Sequence, residues 1–200
     1  MLEVRELECV RGDHRLFKGL NFTLQSGELL HLRGKNGSGK TSLLRTICGL
    51  TTPADGEVLW KGENIRSLRD DFNRGLTYLG HLNGIKGELS ALENLQVSCS
   101  LSGKKIPENR ILDALQHIGL GRREDLPTKV LSQGQKRRVA LARALVLKPR
   151  LLLLDEPFSD LDVAGIEAVT NVLMELSNTT LVLSSHVDLP GSLATSVHRL

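Results

Sequence analysis

Two rhythms of apolar residues divide the chain. Near the N-terminus they come as short strand-like runs, over 4–10 and 20–24, set apart by the turn signals Arg11-Gly12-Asp13 and Ser26-Gly27. A third run, Glu28-Leu29-Leu30-His31-Leu32-Arg33, predicts a strand. A helix-compatible stretch over 41–48 follows shortly after, stopped by Gly49. Thr52-Pro53-Ala54-Asp55-Gly56 is a turn before a brief strand at 57–60, and 76–80 reads as a buried strand.

From 90 to 120 the period becomes helical. Ser90-Ala91-Leu92-Glu93 is a capping box, in which hydroxyl and carboxylate each satisfy an orphan backbone donor. A second helix is expected over 107–118, ended by Gly119, with a polar linker at 100–105. The last third alternates: helix 133–147, strand 151–154, helix 163–176, strand 180–183. Strands alternating with helices of this length imply crossover units on a parallel sheet, so the fold class is α/β. The whole of 1–200 is expected to be one domain, with the helical stretch at about 85–135 as a subdomain.

Composition narrows the choice. Two hundred residues suffice for one well-buried core, and 40% hydrophobic with 24% charged residues is ordinary for a globular chain. Aromatics make up only 3%, so a nucleic-acid surface built on base stacking has few candidates. A net charge of +3 reads as a solvated mixed-sign surface rather than as a nucleic-acid stripe. Cys9, Cys48 and Cys99 show no metal or disulfide spacing, and reduced thiols in the cytosol are expected. The first residues lack the basic start and apolar run of a signal peptide. No apolar stretch approaches the length of a membrane span, so a membrane role would be lent by a partner.

Chemistry concentrates first at Gly34-Lys35-Asn36-Gly37-Ser38-Gly39-Lys40-Thr41-Ser42, which fits the phosphate-loop pattern G-x-x-x-x-G-K-[ST]. Glycines let backbone N–H groups close on phosphate oxygens, and Lys40 brings a mobile charge to the β- and γ-phosphates. Thr41 offers a hydroxyl to Mg²⁺. A strand before the loop and a helix N-terminus after it supply the context that a chance glycine turn would lack. The second concentration is Leu151-Leu152-Leu153-Leu154-Asp155-Glu156. It reads as a buried strand whose carboxyl end delivers Asp155 to Mg²⁺ and sets Glu156 against the γ-phosphate as general base. Taken alone, Asp155-Glu156-Pro157 equally well ends a strand without chemistry; beside a phosphate loop the functional reading is preferred.

Leu131-Ser132-Gln133-Gly134-Gln135, just before an alanine- and leucine-rich helix, resembles the Leu-Ser-Gly-Gly-Gln signature of ATP-binding cassette (ABC) ATPases, with Gln133 for the first glycine. The order of the other marks agrees. Ser159-Asp160-Leu161-Asp162 resembles the loop that crosses the dimer interface, and Ser184-Ser185-His186 resembles the switch histidine on the γ-phosphate. The resemblance covers essentially the whole chain. It implies a P-loop NTPase of the ABC nucleotide-binding type, with an antiparallel β subdomain and a helical subdomain. Hydrolysis of ATP with Mg²⁺ is implied in a homodimer, where Ser132, Gly134 and Gln135 of one chain face the other's phosphate loop. Two positions depart from the family. His81 stands where the lid glutamine is expected; a neutral imidazole still bonds water, but it gains charge near physiological pH. Arg11 stands where an aromatic stacks on adenine; a guanidinium can stack there too.

Gly80-His81, Gly84-Ile85-Lys86 and Leu89-Ser90-Ala91-Leu92-Glu93-Asn94-Leu95 are similar to the haem-exporter ATPase subunits of the cytochrome c maturation system. Membership there implies membrane-spanning partner subunits, a peripheral place on the cytoplasmic face of the inner membrane, and haem delivery for c-type cytochromes. No nucleic acid is expected. Two alternatives stay open: the same ATPase serving another cargo (drug, lipid or polysaccharide), and a soluble ABC ATPase acting on nucleic acid.

Overall fold

The computed structural model describes residues 1–159, 161–186, 188–189, 193 and 196–200. Asp160, in the segment likened to the interface loop, lies outside the described residues. Two compact units emerge. One comprises Met1–Gly80, Pro149–Glu156 and Ser177–Leu200; the other comprises His81–Lys148 and Pro157–Leu176.

In chain order the first unit contains β1 (Leu2–Arg11), β2 (His14–Leu24), β3 (Leu29–Arg33), α1 (Lys40–Ile47), β4 (Asp55–Trp60), β5 (Glu63–Asn64), α2 (Ile65–Leu68), α3 (Asp70–Asn73) and β6 (Leu76–Leu79). To it also belong β7 (Leu151–Asp155), β8 (Thr180–Ser184) and β9 (Ser196–Arg199). The antiparallel sheet has the order β2-β1-β4-β5, and the parallel sheet the order β6-β7-β8-β3-β9. β1 and β2 extend beyond the expected 4–10 and 20–24, because hairpin pairing continues to Arg11↔His14 through largely exposed residues. Backbone pairing, not side-chain burial, holds that end, so no apolar pattern marks it. Gly56 lies at φ +80°, and a Cβ there would come within 2.4 Å of the Arg5 and Glu6 carbonyl oxygens, so the β1–β4 crossing needs a glycine.

Every residue of β7 is buried, as a central parallel strand requires, and the strand runs one residue past the expected 151–154 to take in Asp155. β9, an edge strand with mostly exposed residues, carries no apolar signal and was not expected from the sequence; nor were β5, α2 and α3. Leu30 and Leu32 of β3, Leu151 and Leu153 of β7, and Val182 of β8 meet Leu43, Leu44 and Ile47 of α1 and Leu2, Val4 and Val58 of the antiparallel sheet in one core. That packing fixes α1, and with it the loop at its start, over the carboxyl ends of the parallel strands.

The second unit consists of α4 (Ala91–Leu101), α5 (Glu108–His117), α6 (Gln133–Leu147) and α7 (Val163–Glu175), with a 3-10 turn at Thr128–Val130. α6 packs against the other three. The capping box expected at Ser90 is present: its Oγ accepts from Glu93 N–H at 3.1 Å and Glu93 Oε2 accepts from Ser90 N–H at 2.7 Å.

Leu153 is fully buried at the centre of the first core. Leu153→Ala should therefore lower unfolding free energy by about 2–5 kcal/mol. Urea denaturation would show the midpoint moving down with the slope unchanged.

Candidate functional site

β3 ends at Arg33, and the chain turns through residues 34–39 into α1. Two glycines make that turn possible. A Cβ on Gly34 would lie 2.8 Å from the Leu200 carbonyl oxygen, and Gly39, which caps α1, sits at φ +104°. Lys40 then opens the helix with its side chain folded back under the loop. Its Nζ donates to the carbonyls of Gly34 (2.8 Å) and Lys35 (3.2 Å) and lies 3.7 Å from Glu156 Oε1. At 6% exposure this ammonium is compensated on all the sides just named.

Next to it, Thr41 Oγ1 donates to Asp155 Oδ2 at 2.8 Å, while Asp155 Oδ1 accepts from Ser184 Oγ at 2.7 Å. Asp155 is 2% exposed, so its charge relies on these donors. A hydroxyl beside a carboxylate is a pair of hard oxygens, the donor set that suits a small divalent cation completed by phosphates and water. Glu156 follows at φ +50°, a left-handed conformation uncommon for a residue with a Cβ. Its N–H donates to the Ser184 carbonyl and Oγ, both at 3.1 Å. Its Oε2 accepts from His186 N–H (3.3 Å) and lies 3.0 Å from His186 Nδ1.

The first unit thus gathers the loop 34–42, Asp155, Glu156 and His186 into one cluster, although more than 140 residues of sequence separate its ends. Ser184, fully buried and linked to the Asp155 carboxylate and the Glu156 backbone N–H, was missed as a functional residue. Its only signal was a hydroxyl ending an apolar strand. Arg11 sits exposed at the β1–β2 hairpin, paired in register with His14.

His81, Ser132, Gly134 and Gln135 belong to the second unit. Ser132 caps α6: its Oγ accepts from Gln135 N–H at 3.2 Å and Gln135 Oε1 accepts from Ser132 N–H at 2.9 Å, so Gln135 completes a capping box. His81 is exposed and lines a cleft of about 530 Å³ with Leu82, Gly84, Gln133 and Lys136. The 81–85 segment is held from α6, where Arg137 donates to Asn83 Oδ1 (3.0 Å) and Arg143 to the Asn83 carbonyl (2.6 Å).

The pattern that defines the ABC transporter family matches residues 17–159. A cytochrome c biogenesis ATP-binding export protein CcmA from Nitrosomonas europaea is 52% identical over 202 residues, covering 100% of this chain and 94% of its own length. The chain belongs to the ABC transporter family, in its CcmA branch. The CcmA of Salmonella typhi is 44% identical, covering 100% of this chain and 96% of its own length. Among solved structures, a dimeric ATP-binding cassette in a post-hydrolysis state, bound to ADP and Pi, superposes with a TM-score of 0.82 at 27% identity, over 94% of this chain and 88% of that one. The antiparallel sheet, parallel sheet and helices of this ABC chain are therefore the P-loop ABC fold expected from its sequence. Among the described residues no helix is long and apolar enough to cross a membrane.

β3 also carries a buried ionisable group, His31, 2% exposed. Burial pushes its pKa below the ordinary 6.5, and Arg33 pushes the same way; a hydrogen bond to the Ser185 backbone and the Asp188 and Glu156 carboxylates oppose them. A histidine whose pKa is depressed by folding binds its proton more tightly in the unfolded chain, so it favours folding at high pH and opposes it at low pH. Its contribution is complete above about pH 6.5 and is lost as pH falls toward the lower folded value. The melting temperature should accordingly drop on acidification below about 6.5, and His31→Asn should lose that portion of the drop; differential scanning calorimetry across pH 5–8 would measure both.

Proposed function

We propose that the chain is the ATP-hydrolysing subunit of an ABC export complex serving cytochrome c biogenesis. The observation that carries the hydrolytic part is the contact of Glu156 with both Lys40 and His186 beside the phosphate loop. The biogenesis part is supported by similarity to CcmA proteins along the entire chain. Haem delivery is the finer reading, and it rests on the likeness of segments 80–86 and 89–95 to that branch.

Backbone N–H groups of residues 34–42 bind the polyphosphate, helped by the positive end of α1. Lys40 leaves the loop carbonyls and Glu156 to meet the β- and γ-phosphates. That exchange frees the Glu156 carboxylate to accept a proton from the attacking water. His186, already beside Glu156, donates to a γ-phosphate oxygen. Thr41 and Asp155 hold Mg²⁺, which supplies charge neutralisation at the phosphate oxygens when bound. Arg11 stacks on the adenine, and His81 orients water in place of the lid glutamine. Ser132, Gly134 and Gln135 act across a homodimer, toward the phosphate loop of the second copy. The complex is completed by membrane-spanning subunits, with this chain peripheral on the cytoplasmic face of the inner membrane.

Lys40→Ala should abolish nucleotide binding, because the phosphates lose the loop's buried cation. Isothermal titration giving an unchanged Kd for ATP would refute the loop's assignment. Glu156→Gln should keep ATP binding but lower turnover by roughly 10²–10⁴-fold, the usual contribution of a general base. The slowed variant should retain ATP and elute as a dimer in size-exclusion chromatography; hydrolysis at the wild-type rate would remove Glu156 from the role of base.

A further inference from the structure

β8 ends at Ser184, and the hydroxyl of that residue meets both acids at once. In the parallel register Ser184 lies opposite Asp155, the last pair of the β7–β8 ladder. Its Oγ donates to Asp155 Oδ1 at 2.7 Å and accepts from the Glu156 N–H at 3.1 Å. A hydroxyl has one proton to give and lone pairs to share, so the carboxylate takes the proton and the amide takes a lone pair. These roles cannot be exchanged, because an ionised carboxylate only accepts and an amide N–H only donates. The residue is fully buried, so any effect it has on chemistry passes through the groups it touches.

Strand pairing alone does not set the acid. The ladder fixes the backbone of Asp155 but leaves its carboxylate to turn about the side-chain bonds. Hydroxyls on opposite oxygens oppose that rotation, Thr41 on Oδ2 at 2.8 Å and Ser184 on Oδ1 at 2.7 Å. The two donors differ in one respect: Thr41 also offers its oxygen to Mg²⁺, whereas Ser184 orients the acid from behind. Past Asp155 the ladder ends, and Glu156 turns left-handed at φ +50°. There the Glu156 N–H rests on the Ser184 carbonyl and Oγ, while Glu156 Oε2 accepts from the N–H of His186, two residues beyond Ser184, at 3.3 Å. One short segment thus holds Glu156 by its backbone and by its carboxylate.

We propose that the Ser184 hydroxyl is a positioning group for hydrolysis, setting the Asp155 carboxylate for Mg²⁺ and the Glu156 backbone for the base. A single buried oxygen thereby keeps the metal-binding acid and the base in one fixed relation. The proposal rests on the reading of Asp155 as a metal ligand and of Glu156 as the base.

The test uses the purified full chain and three readouts: ATP turnover, binding of a fluorescent ATP analogue in EDTA, and binding of Mn²⁺ to the ADP complex by electron paramagnetic resonance. Ser184→Ala should lower kcat by roughly 10–100-fold and weaken Mn²⁺ binding by a similar factor, as loss of a group orienting a metal ligand does. Analogue affinity in EDTA should stay at the wild-type value, since the phosphate loop and Lys40 are unchanged. Ser184→Thr, which keeps the hydroxyl, should recover most of both losses. A hydroxyl needed only for stability would lower the melting temperature and leave kcat and Mn²⁺ affinity where they were. Wild-type kcat or wild-type Mn²⁺ affinity in Ser184→Ala would therefore overturn the proposal. So would a loss of analogue affinity in EDTA, or a folded Ser184→Thr as impaired as Ser184→Ala. If Ser184→Ala does not fold, Ser184→Cys, close in shape and a much weaker donor, replaces it with the same expected losses. Asp155→Asn and Glu156→Gln run alongside separate the readings. Unchanged Mn²⁺ binding in Asp155→Asn removes the metal reading, wild-type turnover in Glu156→Gln removes the base, and either takes the proposal with it. If both controls lose those functions while Ser184→Ala keeps wild-type turnover and Mn²⁺ affinity, only the role of Ser184 fails.

Discussion

The carboxylate of Asp155 is the constraint around which the first unit is organised. A charge at 2% exposure persists only if every lone pair that matters is met, and here Thr41 and Ser184 meet them from two different elements. Thr41 comes from the helix after the phosphate loop and Ser184 from the end of the neighbouring strand. To satisfy one acid, the chain must therefore bring together residues 41, 155 and 184. The apolar packing of α1 onto β7 and β8 makes that meeting possible, and the hydrogen bonds give it a single register.

Glu156 inherits its position from this arrangement. It sits one residue past a strand that cannot slip, its amide fixed by Ser184, in a left-handed conformation that solvent would not favour. Its carboxylate is shared between Lys40 and His186. The resting contacts thus hold the acid, the cation and the imidazole within reach of one another. The buried Ser184 is the quiet member of this group, since it is bonded to both acidic residues and exposed to nothing.

The second unit uses a different economy. Its helices converge on α6, whose start is closed by the Ser132–Gln135 capping box and whose Arg137 and Arg143 hold the 81–85 segment. The residues likened to the family signature and the lid histidine are therefore placed by one helix. Asn83 accepts from Arg137 by its side chain and from Arg143 by its backbone.

Much of this was legible in the residues themselves. The phosphate loop, the strand at 151–154, the Ser90 cap and the alternation of the last third are local patterns, each written in consecutive residues that need no distant partner to be recognised. What escaped the sequence lacked such a pattern. β9 is an edge strand held by pairing with β3 through mostly exposed side chains, and the extended end of the β1–β2 hairpin is polar, so neither shows an apolar rhythm. Ser184 and His31 looked like an ordinary hydroxyl and a lone histidine in apolar runs. Only the parallel pairing β7-β8-β3 brought Ser184 beside the two acids and set His31 opposite Leu183 of β8. The sequence determined the elements and motifs written in consecutive residues; the tertiary structure decided which side chains meet, because those meetings depend on strand order and register between segments apart in sequence.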